Sequence, residues 1–186
     1  MKKKLVLVLT MMAVLLAFAG CGKKEETAAP AEETEAAAET GESTEIANPW
    51  TEYASGEEAA KAAGIEPLEV PEMEIWLGKV VPTKWRSMES LVECEVEYAA
   101  SMLTIRKGTG FEDGHCSGDY NSYAHAWTVD VNGTEVKCFG NDEGRSTKTI
   151  WTAGDYAYSI NALGLGGDEN FGIDEEAINI LVGGLK

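Results

Sequence analysis

Leu91-Val92-Glu93-Cys94-Glu95-Val96-Glu97-Tyr98 is the stretch whose reading decides the fold. Val92, Cys94, Val96 and Tyr98 alternate with Glu93, Glu95 and Glu97, and a period of two is produced by a strand with one face on a core. The three glutamates read as the solvated face. After a short turn at Ala100-Ser101 a second run follows, in which Met102, Thr104 and Arg106 alternate with Leu103, Ile105 and Lys107.

Further along, Trp127-Thr128-Val129-Asp130-Val131 and Thr134 to Phe139 flank Asn132-Gly133. Asn-Gly between two such runs predicts a tight hairpin, because both turn residues must take positive φ. Thr147–Thr152 and Tyr156–Ile160 form a second hairpin across Ala153-Gly154-Asp155. Towards the N-terminus, Ser55-Gly56-Glu57-Glu58 is a capping box opening a helix through Ala59–Ala63, with Gly64 placed for a left-handed stop. Asp174 caps a closing helix towards Leu185, with Ile173 and Ile178 as a hydrophobic staple. The expected class is α+β. It comprises a single domain with a meander-like antiparallel sheet of about six strands, an N-terminal helix and a short C-terminal helix.

The N-terminal part reads differently. Lys2, Lys3 and Lys4 precede an apolar run from Leu5 to Ala17, and Phe18-Ala19-Gly20-Cys21 follows. A basic start, a short apolar core and small residues before a cleavage point describe an export signal. The run is shorter than the about 20 residues of a spanning helix. Phe18-Ala19-Gly20-Cys21 resembles the lipobox of bacterial lipoproteins, which implies cleavage before Cys21 and a diacylglyceryl lipid on its sulfur. Two acyl chains make such an anchor stable. Residues 22–47 are rich in Ala, Glu and Thr, and Ile46 is their one large aliphatic side chain. They cannot bury enough surface to offset ordering, so they read as an acidic tether spanning about 25–30 Å. The expected organisation is a signal peptide over 1–20, lipidated Cys21 with its tether over 21–47, and an extracellular domain over 48–186.

The chain has 15 basic against 32 acidic side chains, a net charge of −17. From Asn48 onward there are 10 basic and 24 acidic residues, leaving −14 on the globular part. No basic patch exists to displace counterions, so nucleic acid is not an expected partner. Cys94, Cys116 and Cys138 are an odd set that admits at most one disulfide, with three pairings. Cys94 and Cys138 sit on strand-like runs and read as buried free thiols. His115, Cys116 and His125 match no paired-ligand spacing, and no metal or cofactor is expected.

The densest polar stretch is Phe111 to Asn121. His115 and Cys116 do not make a nucleophile and base, since neighbours on an extended chain face opposite ways. Glu112, Asp113, Asp119 and Asn121 are oxygen donors in a glycine-bearing loop whose simpler role is local turn bonding. Residues 167–176 resemble a calcium loop only in having oxygen donors at alternate positions, and they lack the EF-hand spacing. As a binding surface, the first loop offers Asp113, Asp119, Tyr120 and Asn121, with Arg106 and Lys107 just before it. These six residues are the expected ligand contacts, suited to a ligand with acidic and hydroxyl groups. Among the tryptophans, Trp127 and Trp151 read as core, and Trp50 and Trp85 as freer.

Asn48-Pro49-Trp50 after the tether, Glu58 to Ile65 and Val70-Pro71 resemble clostridial-type lipoproteins of uncharacterised function. The resemblance runs on through Ile105-Arg106-Lys107-Gly108, Ser117 to Asn121, Val131-Asn132-Gly133, Trp151, and Tyr156 with Ser159-Ile160. This last part is similar to the domain of unknown function four-three-six-seven. The resemblance implies a Gram-positive cell surface, and it carries no activity and no catalytic residue. It has an aliphatic residue where this chain has Cys116 and Cys138.

Together these readings lead to a lipoprotein on the extracytoplasmic face of the cell membrane. It is expected to be a non-enzymatic binding or sensing module for an envelope ligand or protein. The alternatives are an envelope hydrolase using Glu93, Glu95 or Glu97 with Asp113 or Asp119, and a structural or assembly lipoprotein.

Overall fold

The computed structural model describes residues 48–98, 101–111, 115–164 and 171–186. The signal peptide, Cys21, the tether to 47, Ala100 of the expected Ala100-Ser101 turn, Asp113 and residues 167–170 of the second acidic loop lie outside the described residues. The described residues belong to one compact unit, Glu45–Lys186.

The elements follow in the order β1 (Thr51–Tyr53), α1 (Gly56–Ala63), β2 (Met73–Ile75), β3 (Gly78–Val80), β4 (Lys84–Met88), β5 (Leu91–Tyr98) and β6 (Ser101–Gly108). They continue with β7 (His125–Val131), β8 (Thr134–Gly140), β9 (Lys148–Ala153), β10 (Tyr156–Gly164) and α2 (Glu175–Gly184). The main sheet is antiparallel in the order β1-β4-β5-β6-β10-β9-β8-β7, and β2 and β3 make a separate hairpin. The expected α+β arrangement of a sheet with an N-terminal and a C-terminal helix is present, but with eight strands in place of six. The two extra strands, β1 and β4, carry no clean alternation. β1 is three residues long, and β4 has partly covered side chains on both faces.

Local signals act where the sequence places them. Ser55 Oγ accepts from Glu58 N at 3.2 Å, and Glu58 reaches back to Ala54 N. Gly64 closes α1 at φ 69°, and Asn132-Gly133 turn at φ 54° and 86°. Asp174 accepts from Ala177 N at 3.0 Å, and Ile173 and Ile178 are both buried.

One face of the sheet carries Val92, Cys94, Val96, Leu103, Ile105, Val136, Cys138, Trp151, Tyr158 and Ile160 into a single core. Ala59 and Ala60 of α1, Ala177, Ile178 and Leu181 of α2, and Leu68, Ile75 and Val80 join it there. At about 25 cal/mol per Å² of apolar area removed from water, this burial is the main favourable contribution to folding. Trp151 stacks on Tyr158 at 5.2 Å, as a core tryptophan should, and Trp127 packs half-buried against the same cluster. All three described cysteines are free and buried.

The other face bears the site. β6 lies in the middle of the sheet, whereas the next strand, β7, is its far edge. The connection between them therefore has to pass β10, β9 and β8, and its residues 115–124 form a strap over the polar face. A small second cluster of Leu91, Cys116 and Ala157, with Trp50, Met88 and Phe111, pins one end of this strap.

Candidate functional site

The polar face begins with a ladder of charge. Glu93 on β5 stands opposite Arg86 on β4 and Arg106 on β6. Arg86 Nε donates to Glu93 Oε1, and Arg106 Nε donates to Oε2 at 2.6 Å. Glu93 is 0% exposed, so the reading of the β5 glutamates as a solvated face is corrected. Glu95 is also buried, held by Arg86 Nη2 at 3.1 Å and Lys84 Nζ at 3.4 Å, and only Glu97 remains exposed. The alternation was read correctly as one residue in and one out, but the outward side is covered by cations. Trp50, expected to be free, lies over both guanidiniums, its ring centre 4.9 Å from Arg86 Cζ and 5.2 Å from Arg106 Cζ. Trp85 is half-buried against the core, and the exposed tryptophan is Trp76, under Arg145.

Arg106 links this ladder to the strap. Its Nη1 donates to the carbonyls of Ser117 and Cys116. Gly118 turns at φ 65°, where an added Cβ would run into Arg106 Nη1. Asn161 Nδ2 donates to the same Ser117 carbonyl at 2.8 Å. One step along the strap, Lys148 Nζ donates to Asp119 O at 3.2 Å, between the rings of Tyr123 (5.1 Å) and Phe139 (4.9 Å). Asp119 Oδ1 accepts from Asn121 N at 2.8 Å, and Oδ2 accepts from the Tyr123 hydroxyl. Burial, and then the Asp119 carboxylate, push the Tyr123 phenol well above its ordinary value.

Between strap and sheet lies a cleft of about 570 Å³ lined by Thr104, Asp119, Asn121, Ser122, Tyr123, Asn141, Thr147, Asn161, Ala162 and Leu163. Thr104, Asn161 and Lys148 form a row across β6, β10 and β9, and Leu163 follows Asn161 on the same face. Asn161 Oδ1 is buried, with no hydrogen-bond partner among the described residues. Swapping the two amide atoms would set Oδ1 against the Ser117 carbonyl, so the bond to Ser117 fixes the orientation. Other hollows of about 520 Å³ lie beside Lys137 and Ile150 and beside His125, Glu143 and Glu175.

Of the six expected ligand contacts, Asp119 and Asn121 line this cleft. Tyr120 lies between them in the chain and is 90% exposed. Arg106 is corrected from a ligand contact to a structural one, its donors taken by Glu93 and the strap carbonyls. Lys107 is corrected too. Its neighbour Arg106 points to the polar face, so Lys107 points to the core, donating to Pro67 O at 2.8 Å over the Tyr156 ring at 4.4 Å. Burial draws its ammonium below its ordinary value, against the pull of Glu66 and Glu69. Asp113 lies outside the described residues. Thr104, Tyr123, Asn141, Thr147, Asn161 and Leu163 were not anticipated. Asn161, a polar residue in phase with Ser159 on a strand, was the one visible hint.

His115 and His125 are both exposed, and no group of three or more His, Cys, Asp or Glu side chains among the described residues converges to hold a metal ion. The Cys116 thiol donates to Ser159 Oγ at 3.6 Å. Burial raises its pKa, against opposing effects of Ser159 and Arg106. No described helix is long and apolar enough to cross a membrane.

The fold and cleft define an α+β protein with a strapped antiparallel sheet. The chain matches no protein-family model, no curated protein and no solved structure.

Proposed function

We propose that this protein is a lipoprotein held at the extracytoplasmic face of a cell membrane by the lipid on Cys21, and that its globular unit is a non-enzymatic binding module whose site is the cleft under the strap. The cleft carries this reading. Its volume of about 570 Å³ lies within the range of small-molecule sites, and a rigid sheet supports a loop-built wall, which is where binding residues concentrate.

The groups in the cleft are suited to holding a ligand. Each carboxylate oxygen of Asp119 accepts one hydrogen bond within the strap, and the Tyr123 phenol, raised by burial, keeps its proton. A general acid–base catalyst works with a pKa near the operating pH, whereas the Tyr123 phenol, held above its ordinary value, acts as a donor to Asp119. The export-signal pattern, the small-small-Cys ending and the acidic tether support the anchor, as does the resemblance to clostridial-type lipoproteins.

Metabolic labelling with a palmitate analogue tests the anchor. Wild type takes up label and Cys21→Ala does not; an unlabelled wild-type band ends that half of the proposal. Thermal-shift screening against envelope fragments tests the module. A ligand at a hundred times its Kd stabilises by about 2.7 kcal/mol, and Asp119→Ala and Asn121→Ala reduce the shift. A hit that survives both substitutions undiminished places binding elsewhere.

A further inference from the structure

We infer that β7 pairs with β7 of a second copy of this chain, making a two-fold dimer with one continuous antiparallel sheet. The pairing uses no residue that lines the cleft. β7 is hydrogen-bonded to β8 on one side, and no described strand lies on the other. The Asn132-Gly133 turn sets which backbone groups face outward. A two-residue turn is closed by a hydrogen-bonded pair, here Val131 and Thr134, and such pairs alternate along an antiparallel ladder. Val131, Val129, Trp127 and His125 therefore bond to β8. Ala126, Thr128 and Asp130 direct their N–H and C=O groups outward, and all three residues are exposed.

Edge strands are ordinarily blunted by Lys or Pro, by a bulge or by shortness, because unpaired backbone groups recruit another strand. The opposite edge, β1, is three residues long. β7 has seven residues, no Lys, Arg or Pro, and an unbroken register with β8. In a chain at −17 its single acid is Asp130, whose Oδ1 already accepts from Gly133 N at 3.0 Å.

Self-complementarity selects a second copy as the occupant. In a two-fold antiparallel pair, residues that stand opposite each other must lie on the same face of the sheet. Of the registers this permits, the one centred on Thr128 engages all three outward residues. Thr128 faces Thr128 of the second copy, and Ala126 and Asp130 face each other twice. Each such pair exchanges two hydrogen bonds, six in all. Centring on Trp127 or Val129 keeps only two outward pairs within the strands, and centring on Asp130 sets like charges opposite. In the Thr128 register the two Asp130 carboxylates stand four residues apart, about 14 Å along the strands, beyond the about 8 Å over which salt screens them. Trp127, half-buried at the rim of the hollow beside His125, meets Val129 of the second copy. Hydroxyl–hydroxyl and aromatic–β-branched pairs of this kind are stabilising across strands.

The test is disulfide trapping of the full chain in detergent under oxidised glutathione, read as a dimer band on non-reducing gels with wild type as the baseline. Cys94, Cys116 and Cys138 are buried and stay out of the reaction. Thr128→Cys should cross-link, because opposite Cα atoms in a hydrogen-bonded pair lie about 5.5 Å apart, within disulfide reach. Ala126→Cys, on the same face and equally open, should cross-link at least about tenfold more slowly, since its counterpart in the second copy is about 14 Å away along the strands. The double variant Ala126→Cys/Asp130→Cys should cross-link again. In the wild type, exchange of the Ala126, Thr128 and Asp130 amides should slow by about threefold or more between about 20 and about 500 µM protein. Thr128→Cys no faster than Ala126→Cys overturns the register, and with it the dimer. Exchange at the three outward amides that does not change with concentration overturns the pairing of β7 with a second copy, whether that exchange is fast or slow.

Discussion

Arg106 Nε donates to Glu93 Oε2 at 2.6 Å, and the Glu93 carboxylate has no solvent exposure. With Arg86 on its other oxygen and the Trp50 ring across both guanidiniums, Glu93 is the centre of a closed charge cluster. The cluster joins β4, β5 and β6 on the face opposite the core, and through Arg106 it holds the strap that walls the cleft.

Glu93→Ala is therefore expected to destabilise the globular unit by about 3–5 kcal/mol, since it removes the charge between two largely buried guanidiniums, taking from Arg106 its carboxylate partner and leaving Arg86 with Glu95 alone. The loss is a large share of the about 5–15 kcal/mol typical of a domain. Urea denaturation should show a lower midpoint at similar slope. A loss under about 1 kcal/mol would place this cluster with ordinary surface pairs.

Gly118→Ala tests the junction of Arg106 and strap. The position has φ 65°, and the new methyl would press on Arg106 Nη1. The expected cost is about 1–3 kcal/mol from backbone strain and a disrupted hydrogen-bond network. Faster amide exchange should be confined to the strap, residues 115–124. Wild-type exchange there would show that Arg106 does not hold it.

Lys107→Met should leave stability within about 1.5 kcal/mol of wild type, because a straight apolar chain keeps the packing and removes a charge that burial penalises. The substitution leaves the Pro67 carbonyl unpaired, which limits any gain. Lys107 is on the core side of the sheet, so ligand affinity at the cleft should not change. A fall in affinity would return Lys107 to the binding surface.

Stability should decline at high pH. Burial, the largest cause, pushes the Cys94 thiol from an ordinary value near 9 up to about 12 and the Cys138 thiol up to about 11. Below pH 9 both states keep these protons, and the contribution is fully present. Above it the unfolded chain loses protons that the folded chain retains, so unfolding becomes easier until the folded thiols ionise. The urea midpoint should fall between pH 9 and 11, less steeply in Cys94→Ala, whose starting stability is lower. A thiol reagent at pH 8 should label neither cysteine until the protein unfolds. Rapid labelling of the native protein would contradict their burial.

Much of the fold was legible because its signals are local. A period of two marked β5 and β6. Asn132-Gly133 marked the β7–β8 hairpin through the positive φ both residues adopt. Ser55, Gly64 and Asp174 marked helix ends through backbone groups within a few residues of each. β1 and β4 escaped because short edge and near-edge strands draw their definition from partners and need no internal pattern. The cleft was half legible. Asp119 and Asn121 stood out as loop polars, whereas Thr104 looked like an ordinary outward position on a strand, and Asn161 and Leu163 lay beyond the expected strand end at Ile160, which the structure extends to Gly164.

The sequence by itself determined the α+β class, the sidedness of the central strands, the helix caps, the hairpin turns and the apolar setting of Cys94 and Cys138. Each of these depends on residues that are neighbours along the chain. Only the tertiary structure decided that Glu93 is sealed between Arg86 and Arg106, that Lys107 faces the core, and that Arg106 supports the strap, so that no cation lines the cleft among the described residues. Those outcomes follow from strand order: β6 lies between β5 and β10 while its successor β7 is at the far edge. The connecting segment must therefore cross the polar face, and the side chains it meets there are set by cross-strand register, which no local period encodes.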